Sequence, residues 1–279
     1  MPNYMFDRFF GCHEGDEKPF LMFADGTQQS YDSFLRQTAR FANVIKELGL
    51  MVGDRLAVQI EKSPEALALY AACVQSGVIF LPLNTAYTPA EISYFVGDSG
   101  AKLLVADQSF DLGNVAREHG TALECLNGDG TGSFSNLAQN ARDQFATADR
   151  GGDDLAAFLY TSGTTGRSKG AMLTHKNLLS NAETLVGEWQ FNEDDVLLHA
   201  LPIFHTHGLF VATNIILLAK ATMIFLPKFS ADTVIEALPK ASAMMGVPTF
   251  YTRLLDDPRL TPKLTRHVRL FISGSAPLL

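Results

Sequence analysis

Short apolar runs and longer stretches of helical periodicity alternate along nearly the whole chain, and this alternation constrains the fold more than any other feature. Over residues 32–48 the apolar side chains Phe34, Phe41, Val44, Ile45 and Leu48 recur near helical spacing, and Gly49 supplies a stop. Residues 56–60 read as a buried strand, 64–76 as a helix ended by Gly77, and 78–81 as the next strand. Pro89 opens a further helix, and 102–105 follow as a strand. The order resumes with strand 155–159, helix near 174–189, strand 196–198, helix near 209–218 and strand 223–226. Helix 231–238, strand 243–245, helix 248–255 and strand 268–272 complete it. Strands joined through helices run parallel, because a crossover has to bring the chain back to the same end of the sheet. The fold class predicted is therefore α/β, with doubly wound parallel sheets and flanking helices.

The pattern breaks at residues 127–152. Asn127-Gly-Asp-Gly-Thr-Gly and Asp149-Arg-Gly-Gly-Asp-Asp are rich in turn formers, which places a subdomain seam near residue 150. The expected division is 1–150 as an N-terminal α/β subdomain and 151–279 as a second one. Gly128, Gly130 and Gly132 imitate a dinucleotide fingerprint, but Ser133-Phe134 follows without a clean strand-to-helix passage, so a surface loop is expected.

Composition removes several function classes. Hydrophobic residues make up 47% and charged residues 19%, which is ordinary for a packed enzyme and too apolar for wholesale disorder. A net charge of −8 argues against a nucleic-acid partner, which needs a basic face. Cys12, Cys73 and Cys125 lie far apart, with no Cys-x-x-Cys pair, so neither a disulfide framework nor a zinc site is expected. The first residues lack a cationic and apolar leader, and the apolar stretch at 209–226 is broken by Asn214 and Lys220. A cytoplasmic location with no membrane span is expected.

The strongest chemical signal is Tyr160-Thr-Ser-Gly-Thr-Thr-Gly-Arg-Ser-Lys-Gly-Ala-Met-Leu-Thr-His175, which follows an apolar strand. Gly163, Gly166 and Gly170 let backbone N–H groups approach an anion, and Thr161, Ser162, Thr164 and Thr165 add hydroxyl donors. Lys169 brings a mobile positive charge suited to polyphosphate. The spacing is not that of a Walker A loop. An unliganded surface loop would have no need for this concentration of donors around one cation. Asp194-Asp195 read as a solvated turn, and His13, His119, His199 and His267 have no partners at ligand spacing. His175 is expected to help start the helix after the loop.

Residues 160–170 resemble the signature phosphate loop of the adenylate-forming enzymes, which include acyl- and aryl-CoA ligases, peptide-synthetase adenylation domains and luciferases. Gly53-Asp-Arg-Leu-Ala57, Pro82-Leu-Asn-Thr85, Leu201-Pro-Ile-Phe-His-Thr-His-Gly208, Gly246-Val-Pro-Thr249 and Ser273-Gly-Ser-Ala276 resemble further family segments in order and spacing. The resemblance implies two half-reactions: a carboxylate attacks ATP to give an acyl-adenylate and pyrophosphate, and the CoA thiol then displaces AMP. It implies that Thr161, Ser162, Gly163, Thr164, Thr165, Gly166 and Lys169 hold the ATP phosphates. Thr161 would also serve Mg2+, and His205 would stand beside the reacting carboxylate.

Within the family the wording most closely resembles the malonyl-CoA synthetases. Arg253, one helical turn past Thr249 in an apolar stretch, is suited to bidentate capture of a carboxylate; a solvated helix position is the alternative reading. His207, Ser273 and Gly274 join it as expected substrate-binding residues. Malonate or a related diacid, ATP and CoA are thus the expected small-molecule partners; another short-chain or dicarboxylic acid–CoA ligase is the nearest alternative. Family members continue through a Tyr-Gly-x-Thr-Glu segment, a Thr-Gly-Asp motif and a mobile C-terminal domain, none of which occurs in these residues. The resemblance therefore implies an N-terminal portion, truncated before its barrel and C-terminal domain. Alone it is expected to form no thioester and, with its last strand uncovered, to be only marginally stable; a non-catalytic binding module is the alternative reading.

Overall fold

The computed structural model describes residues 3–161 and 168–276. Its strands in the first half are β1 (Pro19–Met22), β2 (Gln28–Ser30), β3 (Arg55–Gln59), β4 (Ile79–Pro82), β5 (Leu103–Ala106) and β6 (Ala122–Cys125). The second half adds β7 (Leu155–Thr161), β8 (Lys169–Thr174), β9 (Val196–His199), β10 (Thr222–Phe225), β11 (Ala243–Gly246) and β12 (Leu270–Ser273). They form two mixed sheets, in the orders β6-β5-β3-β4-β7-β8 and β12-β11-β9-β10-β1-β2. Within them, only β7–β8 and β1–β2 pair antiparallel, each at a sheet edge.

The chain divides into two compact units, one of residues 1–12 with 35–178 and the other of 13–34 with 179–279. Pairing accounts for these limits. β7 hydrogen-bonds to β4, which draws residues 155–174 into the first unit, and β1 lies parallel to β10, which draws residues 19–30 into the second. The turn-rich residues 127–152 consequently lie inside the first unit rather than at its border.

In the first unit, the helix Pro64–Ser76 is specified by its ends. The Ser63 hydroxyl accepts from the Ala66 N–H at 3.1 Å, Pro64 occupies the first turn, and Gly77 closes the helix with φ of 74°. All its residues from Ala66 to Ser76 are buried, which suits its Ala- and Leu-rich sequence. The helix Pro89–Ser99 starts with a reciprocal capping box between Thr88 and Glu91. Arg55 on β3 donates to the carbonyls of Ser99 and Gly100, satisfying the exposed end of that helix with a cation. Leu81, Ile92, Phe95, Val96 and Leu104 form the core between this helix and the sheet.

The helix His175–Trp189 begins directly after β8. Its cap is Thr174, whose hydroxyl accepts from the Asn177 N–H while the Asn177 side chain accepts from the Thr174 N–H. His175 itself turns inward: its ring is buried, and Nδ1 has no hydrogen-bond partner among the described residues. Burial, helped by the nearby Arg150 charge, pushes the imidazole pKa down to about 4. Since the unfolded value lies near 6.5, acid favours the unfolded chain, which binds the proton first. The stability that a neutral His175 allows is complete above about pH 6.5 and is lost as pH falls toward 4. Wild type should therefore lose about 2 kcal/mol more than His175→Leu between pH 7.5 and 5. Urea unfolding of both proteins at the two pH values measures this, and parallel losses would refute it.

In the second unit, Leu198, Ile224, Val234, Leu238 and Met244 pack as the core between the sheet and its helices. Asp195 departs from the solvated turn expected of it. The turn forms, with the Asn192 N–H donating to the Asp195 carboxylate, but the side chain is only 4% exposed. Arg269 meets it bidentately at 2.8 and 2.6 Å, and the Ser242 hydroxyl donates to it at 2.6 Å. A partner distant in sequence is what makes the burial tolerable. Among the described residues no helix is long and apolar enough to cross a membrane.

Candidate functional site

Three parallel strands of the second unit end side by side, and the loops leaving their carboxyl ends enclose a cavity of about 420 Å³. This is where open α/β sheets present ligand crevices, because successive loops separate there. Leu201, Pro202, His205 and His207 come from the loop after β9, Val247 from just beyond β11, and Ser275 from beyond β12. His205 is exposed at this cavity with its ring against Phe204, and His207 is half-buried. Loss of water around both imidazoles holds their pKa values below the ordinary histidine value. Both are therefore predominantly neutral at pH 7, each able to donate one hydrogen bond and accept another.

Glycine is required where His207 packs. A Cβ on Gly274 would lie 2.9 Å from the His207 ring, so the backbone after β12 can approach the imidazole only without a side chain. The next residue, Ser275, adopts a left-handed φ of 68° and brings its hydroxyl 3.4 Å from His207 Nδ1. Ser273 ends β12 with a buried hydroxyl that has no partner among the described residues. Sequence reasoning named Ser273 and Gly274 but passed over Ser275, although it lies in the same quoted segment. A serine held at positive φ has no signature in composition.

The residues after the motif also differ from the expected helix at 209–218. His207–Thr213 form a π-helical stretch, and only Asn214–Ala219 continue as α-helix. Such widened turns recur at functional sites. Gly208 allows this one: a Cβ there would run into the Pro202 carbonyl oxygen. Its own carbonyl accepts from His199 Nε2 at 2.8 Å and from the Thr213 hydroxyl at 3.0 Å.

The expected phosphate-binding segment belongs to the first unit, where it joins β7 to the antiparallel β8. Thr161 and Lys169 pair across the hairpin, and both are exposed. Ser162, Gly163, Thr164, Thr165 and Gly166 lie outside the described residues. The hairpin base is held by aromatic residues: the Tyr160 hydroxyl donates to Asp98 at 2.6 Å, and the Tyr94 hydroxyl donates to the Ser168 carbonyl at 3.0 Å. Phe95 packs on Tyr160 with ring centroids 4.4 Å apart. For Mg2+, Thr161 is the expected ligand, but one neutral hydroxyl is a poor ligand set for a hard cation. Among the described residues no group of three or more His, Cys, Asp or Glu side chains could hold a metal ion. The described donors alone do not make a magnesium site.

Arg253 corrects an expectation. Helix Pro248–Leu255 starts beside the cavity-lining Val247, but its phase sends Leu254 into the core and leaves Arg253 exposed. The guanidinium lies over the Phe229 ring, 4.7 Å from its centroid, and Phe229 in turn stacks on Phe250. The side chain therefore takes the solvated helix position given above as the alternative. Arg253 is not among the residues that line the cavity, and no carboxylate pairs with it among the described residues.

Comparison with known proteins agrees with this fold. The chain is 54% identical to ATP-bound MatB from Rhodopseudomonas palustris, whose crystal structure superposes with a TM-score of 0.96 over 100% of this chain and 56% of that one. It is 30% identical to a mitochondrial malonate–CoA ligase of Xenopus laevis over 94% of this chain and 49% of the relative. It is 32% identical to a feruloyl-CoA synthase of an Amycolatopsis species, over 91% of this chain and 50% of the relative. The chain thus spans about half the length of the curated relatives it matches. The AMP-binding enzyme family matches residues 11–279, and the chain belongs to that family.

Proposed function

We propose that this chain supplies the phosphate-binding hairpin and the acid-binding cavity of an AMP-forming malonate–CoA ligase. The carrying observation is the cavity that gathers His205, His207 and Ser275 at the carboxyl ends of three parallel strands. A small polar acid suits that lining better than a bulky aryl group, and the malonate–CoA ligase relatives support the reading. In the first half-reaction a malonate oxygen bonds to the α-phosphorus of ATP as the bond to pyrophosphate breaks. In the second, the CoA sulfur bonds to the acyl carbon and AMP leaves.

The neutral imidazoles of His205 and His207 orient the acid through single hydrogen bonds and do not balance its charge. That balance falls to cations: Lys169 beside the polyphosphate and Arg253 for the second carboxylate of malonate. Ser273 and Gly274 complete the acid side, while Thr161 and Ser162, Gly163, Thr164, Thr165 and Gly166 offer hydroxyl and backbone donors to phosphate oxygens. Mg2+ and CoA enter as the cofactor and co-substrate of the reaction proposed.

The test is pyrophosphate release by the product of the full reading frame, with ATP and either malonate or ferulate. Malonate should be the better substrate by kcat/KM, and preference for ferulate would overturn the assignment. Lys169→Ala should lower the rate with malonate roughly ten- to a hundredfold, the worth of one charged hydrogen bond. Unchanged kinetics would remove Lys169 from the phosphate site.

A further inference from the structure

The carbonyl of Gly208 is held by two side chains that do not line the cavity. His199, the last residue of β9, is fully buried and presents Nε2 at 2.8 Å; a carbonyl only accepts, so this nitrogen carries the proton. Thr213, at the far end of the π-helical stretch, donates its hydroxyl at 3.0 Å to the same oxygen, five residues back. On the other side, the Gly208 backbone presses against the Pro202 carbonyl so closely that no side chain fits. The loop carrying His205, Thr206 and His207 is thus closed on itself between Pro202 and Gly208, and Gly208 is pinned from two directions. His207 in turn fits against Gly274 with no room for a methyl group. A small rotation at Gly208 would therefore have to move the His207 ring.

We propose that His199 and Thr213 are positioning residues, which hold the Gly208 carbonyl and thereby fix where His205 and His207 stand at the cavity. A π-helical turn has a wider bore than an α-helical turn and is much rarer, so its presence calls for a local cause. The two donors supply the reason it persists here: each is buried, and each would have to leave the Gly208 carbonyl if the turn tightened. What the two histidines act on rests on the ligase reading above; that they are positioned in this way does not.

The test reads the histidines directly. Imidazole titrations of His205 and His207 would be followed by NMR in the wild-type 279-residue chain, in Thr213→Val and Thr213→Ser, and in His199→Phe and His199→Gln. Thr213→Val keeps the shape and removes only the donor, so it carries the test even if His199→Phe fails to fold. In Thr213→Val both histidines should titrate higher, toward the free imidazole value, as the loop loosens and admits water. Thr213→Ser and His199→Gln, which keep a donor, should restore the wild-type titration. A fall in Tm with both titrations unchanged would overturn the proposal, because it would show that the two bonds merely stabilise the fold. In the product of the full reading frame, Thr213→Val should also raise KM for malonate by about ten- to a hundredfold and leave KM for ATP unchanged. A wild-type protein that turned over no malonate would overturn the ligase reading, whereas the titrations alone decide the positioning.

Discussion

Asp195→Ala is expected to remove about 3 kcal/mol of stability from the second unit, at the lower end of what breaking a buried ion pair costs because the Arg269 side chain remains 36% exposed. The effect comes chiefly from what is left behind. Arg269 would keep its contacts to the carbonyls of Trp189 and Gln190 and its place over the Phe191 ring, but it would have no counter-charge. The Ser242 hydroxyl, which donates to Asp195 and accepts from the Val196 N–H, would lose its close acceptor and keep only the Val196 carbonyl at 3.4 Å. Because Val196 starts β9, Ser242 precedes β11 and Arg269 precedes β12, the damage falls at the roots of the three strands whose other ends frame the cavity. Urea unfolding of the variant measures the loss. The double variant Asp195→Leu with Arg269→Met should recover most of it, since replacing both charges by apolar groups removes the orphan. A single-variant loss below about 1 kcal/mol would mean that water reaches the pair and that it contributes as a surface bridge does.

That ion pair also shows what could be read from the sequence. Helices Pro64–Ser76 and Pro248–Leu255 have the limits expected of them: a capping serine, a first-turn proline and a closing glycine mark the first, and a first-turn proline marks the start of the second. The central strands were legible for the same reason: continuous apolar runs are what strands buried on both faces require. β2 gave no such signal, and the short apolar run at 19–23 that becomes β1 was passed over. Gln28-Gln29-Ser30 is polar, and it becomes a strand by pairing with β1, which itself depends on β10 far along the chain. The fate of Asp195 was hidden likewise, since it rests on Arg269, 74 residues away.

For the candidate site, the division is between identity and orientation. His205 and His207 stand in one short segment, and a segment can be recognised without knowing its conformation. The left-handed Ser275, the π-helical turn at His207 and the role of His199 depend on how backbones approach one another, as the Gly208 and Gly274 contacts show. Helix phase is of the same kind. On Pro248–Leu255 the periodicity allows Arg253 or Leu254 to face inward, and only the packing against Leu238 and its neighbours puts Leu254 there.

Arg253→Leu is expected to separate two roles that differ in size. As a surface residue over Phe229, Arg253 contributes about 0.5–1 kcal/mol of cation–π attraction, and its loss would be felt as a small decrease in stability. As the group that receives the second carboxylate of malonate, it would contribute about 1.5–3 kcal/mol to the bound acid, or roughly ten- to a hundredfold in kcat/KM. The loss should be confined to diacids: butyrate has no distal carboxylate, so its kcat/KM should hold or rise as the surface becomes apolar. KM for ATP should stay unchanged. His207→Ala should act in the same direction but more weakly, because a neutral imidazole offers one hydrogen bond where a guanidinium offers two and a charge. The comparison is kcat/KM for malonate and butyrate in wild type and both variants, made with the product of the full reading frame. Equal falls for the two acids in Arg253→Leu would leave Arg253 as a packing partner of Phe229. The distal carboxylate would then be met by neutral donors alone, among which Ser275 and the Ser273 hydroxyl, unpartnered among the described residues, would be the next to replace.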